Sequence, residues 1–558
     1  VSGPFIRNQF RADIIFIEKI HAMKSSTGRV TGSQFVLLSC ISLLFLSGFD
    51  FSREKGNGKV GDTESIRVEG GLISGILLPN GDVRAYKGIP FAAPPVAERR
   101  WKAPHPVIPW KGVRSCVAFG PSPMQAPPVP FSMWSEEFLI PEKPISEDCL
   151  YLNVWTGARS VREKRPVLVW IYGGGFQSGG SAVPVYDGEA LARKGIILVS
   201  INYRVGIFGF FAHPELTRES GHHASGNYGL LDQIAALQWV KRNIAAFGGD
   251  PDNITIAGQS AGSMSVNCLV ASPLAKNLFR KAIAQSGAAI LRGVFGHANL
   301  EAAEQDGVKT ARSLHTSSLS ELRRLDPAEL MKAQQSVRGP IIDGYVLPDA
   351  IGRIFLEAKE NRIGLLTGWN QDEGLLFGPL KNAETFKEDI ERDLGTDAAE
   401  FLSHYPATND PVARKSQIDM ARDRTFGVQN YAWANIQAGH GSNVYVYRFT
   451  RKVPGTGAYA DNGAFHTGEV PYAFNNIAYI VRSWRPWGET DHRLAEIMSS
   501  CWVNFVKSGD PNGPGLPIWP RYGKENRQIM DLGDTPVART LPDTERLDVL
   551  QRLMTAGK

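Results

Sequence analysis

The chain has 558 residues, of which 43% are hydrophobic, 10% aromatic and 21% charged, a composition that excludes a disordered, fibrous or polytopic membrane protein. Length alone leaves the number of domains open. The 61 Lys and Arg against 56 Asp and Glu give a net charge of +5; no block of like charges marks a nucleic-acid surface, so no nucleic-acid partner is expected.

Taken in chain order, residues 1–22 read as an upstream leader outside the native fold, with Met23 as a candidate start. Lys24 and Arg29 then precede the apolar run from Phe35 to Leu46, a charged region followed by an apolar core of signal-peptide length. A permanent span needs about 20 apolar residues. Residues 23–52 therefore read as a signal peptide, with an uncleaved N-terminal anchor as the alternative because no clean A-x-A site follows. A lipoprotein attachment at Cys40 fits less well, since the apolar run continues past it. The expected location is secreted or periplasmic.

From Ile66 onward there is no low-complexity linker and no internal repeat, which points to one large domain over residues 53–558. The segments 166–172, 196–203, 253–257, 281–285, 363–367 and 444–448 are short and rich in β-branched and aromatic residues, the pattern of strands buried on both faces. Between two of them, Ile234, Leu237, Val240 and Ile244 recur at helical spacing over Asp232 to Phe247, and Gly248-Gly249 stops the helix. Strand, helix, strand predicts right-handed crossovers and a predominantly parallel sheet flanked by helices.

Two glycine-rich motifs carry chemistry. Gly258-Gln-Ser-Ala-Gly262 follows the strand Asn253 to Ala257 and opens an apolar helical stretch reaching Val270. A serine on so sharp a strand-to-helix turn tolerates only small neighbours, and its hydroxyl is held above the sheet edge, so Ser260 is a candidate nucleophile. The helix N-terminus behind it offers unpaired N–H groups and partial positive charge. Tyr172-Gly-Gly-Gly-Phe176 also ends a strand, and glycines there let backbone N–H groups approach a substrate oxygen. A phosphate loop is disfavoured because no Lys-Ser/Thr follows. With no C-x-x-C or H-E-x-x-H pairing, no metal is expected.

Together with Glu147-Asp-Cys-Leu-Tyr-Leu-Asn-Val-Trp155, Asn202-Tyr-Arg-Val-Gly206, Asn227-Tyr-Gly-Leu-Leu-Asp-Gln233 and Phe247-Gly-Gly-Asp-Pro251, these motifs closely resemble the type B carboxylesterase and cholinesterase family. The likeness runs from about Ile66 to Leu550, and Phe210-Phe-Ala-His-Pro-Glu-Leu216 is similar to the bacterial branch. The resemblance implies an α/β-hydrolase fold, hydrolysis of a small-molecule ester and no cofactor. It also implies a triad in the chain order Ser, acid, His. The matching acid is Glu373 in Asn370-Gln-Asp-Glu-Gly374; the matching base is His466 in Gly463-Ala-Phe-His-Thr-Gly-Glu469. Without the family, His404, His440, His466 and His492 would compete equally.

The implied oxyanion donors are the N–H groups of Gly174, Gly175 and Ala261. Ser286 matches a serine near the triad acid, in a supporting position. Cys116 and Cys149 match the family's first disulfide, and Arg100 with Glu147 and Arg204 with Asp232 match its internal ion pairs. Trp134 lies where cholinesterases carry a choline-binding tryptophan, but the sequence around it differs in length. Thr467, where many relatives carry Gly, is expected to leave the chemistry untouched. The competing class is a catalytically silent relative used for adhesion or binding; within enzymes it is a hydrolase of carbamates or activated amides.

Overall fold

The computed structural model describes residues 63–291, 298–378 and 380–556. The leader and the signal-peptide segment lie outside them. Among the described residues no helix is long and apolar enough to cross a membrane, and no group of three or more His, Cys, Asp or Glu is placed to hold a metal ion.

The framework is one eleven-stranded sheet. In chain order its strands are β1 (Ile76–Leu77), β2 (Arg84–Pro90), β3 (Tyr151–Thr156), β4 (Arg165–Ile171), β5 (Ile197–Ile201), β6 (Gly249–Gln259), β7 (Lys281–Gln285), β8 (Gly364–Asn370), β9 (Val444–Phe449), β10 (Gln528–Leu532) and β11 (Val537–Thr540). Their spatial order is β11-β10-β9-β8-β7-β6-β4-β5-β3-β2-β1. From β5 through β10 neighbouring strands pair in parallel, and antiparallel pairing is confined to the two ends of the sheet. This is the doubly covered, mostly parallel sheet of an α/β-hydrolase. Its central strands are buried throughout and mostly apolar because helices cover both faces: all five residues of β5 are buried, as are all six of β9.

The chain passes from β4 out to β5 and then back across to β6, so β4 and β6 are neighbours from which the winding departs in opposite directions. Crevices of this kind, beyond the carboxyl ends of the strands, are where open α/β sheets bind ligands. The glycine loop 173–175 leaves the end of β4 and the serine turn leaves the end of β6, with Gly258 in register with Ile171.

The predicted helix over 232–247 starts earlier, at Tyr228, and runs to Asn243 before tightening into a 3-10 turn, Ile244–Phe247, that stops at Gly248 with φ +81°. Inside the helix, buried Asp232 receives Arg204 through Nη2 at 2.7 Å and Nε at 2.8 Å. Arg100 grips Glu147 in the same bidentate way, at 2.6 and 2.7 Å. Such forks fix relative orientation as well as contributing energy.

The structure corrects the Cys116–Cys149 pairing. Both are buried free thiols in different surroundings. Cys116 has Arg114 as its charged neighbour, and burial pushes its thiol up to about 11. Cys149 lies near the Arg204–Asp232 pair, and burial, joined by the Asp232 charge, raises it well above the ordinary thiol value.

Candidate active site

The serine turn shows why its neighbours must be glycine. A Cβ on Gly258 would sit 2.4 Å from the carbonyl carbon of Gly262, and one on Gly262 would sit 2.0 Å from the Ile171 carbonyl oxygen. Packed so tightly, the turn forces Ser260 to φ +57°, ψ −126°, a strained conformation for a residue with a side chain. Its N–H donates to the Gln285 carbonyl at 2.9 Å, and its carbonyl receives the Met264 N–H at 2.9 Å. Helix Ala261–Ala271, buried along its whole length, begins at the next residue.

The glycine loop approaches this turn closely. A Cβ on Gly173 would meet the Ser260 Cβ at 3.0 Å, and one on Gly174 would collide with the Ser178 carbonyl at 2.2 Å. Gly174 and Gly175 take φ of +117° and +62°. Their N–H groups donate to no group among the described residues, and the Ala261 N–H, first in its helix, has no intrahelical partner. The loop is braced from below, where Tyr172 and Tyr203 stack at 4.4 Å and Tyr172 Oη donates to the Tyr203 carbonyl at 2.8 Å.

Glu373 follows β8 and is wholly buried. Its Oε1 lies 2.7 Å from His466 Nδ1, while Oε2 accepts the Asn370 N–H at 3.0 Å. The adjacent Asp372 points elsewhere: its Oδ2 accepts the Ala464 N–H at 2.7 Å, and its own N–H donates to the Ala464 carbonyl at 3.0 Å. One acid therefore touches the histidine and its neighbour anchors the loop that carries it.

The imidazole, 2% exposed, is held on both faces. Phe426 stacks on it with centroids 4.5 Å apart and planes 19° apart. Phe426 is delivered by a π-helical turn, Asp423–Gly427, an irregularity common at functional sites. The Gln259 side-chain Nε2 lies 3.2 Å from Nε2 and 3.4 Å from Nδ1. An atom nearly equidistant from both ring nitrogens stands over the ring face, because an in-plane position would press on the carbon between them. Among the described residues no hydrogen bond joins Ser260 Oγ to His466; such contacts often tighten only when substrate is bound.

Ser286 ends β7 with φ +53°, its N–H donating to the Gly368 carbonyl at 2.9 Å. Its hydroxyl makes no hydrogen bond among the described residues and has the Tyr447 hydroxyl as a neighbour.

Sequence reasoning missed Phe426 and the buried polar layer beneath the histidine. Glu469 accepts from Gln285 Nε2 at 3.0 Å and from Asn370 Nδ2 at 2.5 Å. Burial, reinforced by the Glu373 charge and opposed by the two amides, pushes its carboxyl up to about 7. A glutamate in an unfolded chain titrates near about 4.3. The folded state thus holds this proton more tightly, and the resulting stability is complete below the unfolded value and lost as pH rises through about 7. Glu469→Gln, which cannot ionise, should therefore gain in melting temperature relative to the wild type between pH 5 and pH 8. A difference between the two proteins that stays constant over that range would refute this.

Comparison with known proteins identifies the family. The model described as "Carboxylesterase family" matches residues 62–550. The chain is 36% identical to the fumonisin B1 esterase of Sphingopyxis macrogoltabida over 488 residues, covering 84% of this chain and 86% of that protein. It is likewise 36% identical to the para-nitrobenzyl esterase of Bacillus subtilis (strain 168) over 487 residues, 83% of this chain and 94% of the relative. Among solved structures, a PNB esterase superposes with a TM-score of 0.76 at 33% identity, covering 87% of this chain and 99% of that one.

Proposed function

The chain belongs to the carboxylesterase family and is a carboxylic ester hydrolase, and from that premise we propose that it cleaves small-molecule esters through an acyl-enzyme formed on Ser260. Ser260 Oγ attacks the ester carbonyl while His466 Nε2 takes its proton. The imidazolium returns that proton to the departing alkoxide, and water, activated by the same nitrogen, then releases the acid. Glu373 accepts the Nδ1–H, keeping the Nε2 lone pair free and stabilising the cation. The N–H groups of Gly174, Gly175 and Ala261 receive the oxyanion, each donor contributing on the order of 3 kcal/mol. Ser286 supports the acid's strand from behind. The observation that carries this reading is the 2.7 Å bond between buried Glu373 and buried His466, set beside a strained serine turn at the switch point of the sheet.

The test is turnover of p-nitrophenyl esters from acetyl to long-chain acyl, together with a fluorophosphonate probe and peptide mapping. Hydrolysis with the label on Ser260 is expected. Turnover with the label on another residue would overturn the nucleophile assignment.

We propose further that the chain is exported, on the strength of Lys24, Arg29 and the apolar run Phe35 to Leu46. Protein recovered from a periplasmic or medium fraction should begin beyond Leu46 by N-terminal mass spectrometry. Protein confined to the cytoplasm with that segment intact would count against export.

A further inference from the structure

The residue after the histidine is strained. Thr467 has φ +79°, a left-handed conformation that is an outlier for a β-branched side chain and persists only where the surroundings hold it. Two hydrogen bonds do so. Its Oγ1 donates to the His466 carbonyl and accepts Trp134 Nε1–H at 2.8 Å. A hydroxyl has one proton and two lone pairs, so it can make both at once, and the indole spends its single donor here.

Trp134 belongs to the loop 131–140. At its tip Phe131 and Trp134 exchange backbone hydrogen bonds at 3.1 and 3.0 Å, and their rings pack 4.8 Å apart. The indole stands edge-on to the His466 ring, 6.3 Å between centroids at 85°. The root of the loop is fixed independently, by the buried ion pair of Glu137 with Arg485 at 2.9 Å. Arg485 also donates to the Met133 carbonyl at 3.3 Å and to Ser135 Oγ at 3.0 Å, so the backbone on either side of Trp134 is set without Thr467, and what Thr467 adds is the hydrogen bond that orients the indole against the histidine.

Resting on the reading of His466 as the base, we propose that Thr467 is a positioning residue, a strained latch that holds Trp134 as a fixed wall of the pocket on the side where the alcohol leaves. The side follows from the chemistry: the imidazolium hands its proton to the departing alkoxide, so the alkoxy group lies next to the imidazole. A rigid aromatic wall there favours flat apolar alcohols, because it offers contact area without an ordering cost.

Benzyl acetate and ethyl acetate give the same acetyl-enzyme, so their ratio of kcat/KM reports the alcohol side alone. Thr467→Val, which keeps the shape and removes the hydroxyl, should lower the benzyl-to-ethyl ratio roughly 5- to 10-fold, the worth of one hydrogen bond. Thr467→Ser should retain it. Trp134→Phe should lose a similar factor, and the double variant should lose no more than either single one. Thr467→Gly should lower the ratio while raising the melting temperature, since glycine accepts the backbone conformation without strain. An unchanged ratio in Thr467→Val, or losses that multiply in the double variant, would overturn the latch. Fluorophosphonate labelling separates the two readings: labelled Ser260 with an unchanged ratio sinks the latch alone, whereas a wild-type Ser260 that takes no label sinks the acyl-enzyme.

Discussion

Ser260→Ala is expected to abolish ester hydrolysis and leave the fold intact. The strain of the turn lies in the backbone, φ +57° between two glycines that admit no Cβ, and alanine places the same Cβ in the same space. The backbone bonds to Gln285 and Met264 do not involve the hydroxyl. What disappears is the only atom of residue 260 able to form the acyl bond. Loss of a serine nucleophile in a comparable triad costs on the order of 10⁶ in kcat, the residue of catalysis coming from the oxyanion hole and binding. The check is kcat on p-nitrophenyl acetate, with circular dichroism for the fold and fluorophosphonate labelling for the nucleophile. A variant keeping a tenth of the wild-type rate would mean that another group attacks the ester.

Glu373→Gln should approach a 10⁴-fold loss in kcat, roughly 5 kcal/mol, by analogy with the acid of a serine-protease triad. The hydrogen bonds give the reason. Glu373 Oε2 accepts a backbone N–H, that of Asn370, at 3.0 Å, and that donor cannot be reversed. A glutamine must therefore turn its carbonyl oxygen toward Asn370 and its NH₂ toward His466 Nδ1. That forces the proton onto Nε2, the wrong tautomer for a base, and removes the charge that stabilises imidazolium. Asp372→Asn should cost far less, because Asp372 bonds to Ala464 rather than to the ring. Both variants are compared at saturating ester, with circular dichroism confirming that each is folded. If Asp372→Asn were the dead enzyme and Glu373→Gln the active one, the acid would be misassigned while Ser260 kept its role.

Much of the site is legible from local chemistry. Only glycine fits at 258 and 262, so the turn announces itself in five letters. Apolar runs of strand length mark β4, β6, β7 and β9 to within a few residues at most ends, β6 excepted: it starts at Gly249, four residues before the predicted segment, because Gly249 pairs with Arg165 ahead of an irregularity that spans the polar stretch up to Ile254. The choice between Asp372 and Glu373, and of His466 among four histidines, came from family resemblance rather than from pattern. The structure then separates the two acids by the direction each side chain takes from one tight turn.

What the sequence determined by itself is whatever depends on neighbours along the chain: strand and helix periods, the glycines of the serine turn and oxyanion loop, and the mostly parallel pairing that strand-helix-strand units impose. Tertiary structure alone decided the rest. Phe426 on the histidine face, the Gln285–Glu469–Asn370 layer beneath it and the Trp134–Thr467 bond join residues between 40 and 333 positions apart. That Cys116 and Cys149 stand as free thiols was decided there as well. None of these leaves a periodic signal, because a contact across the fold is made by the shape of the packed core and not by the spacing of either partner.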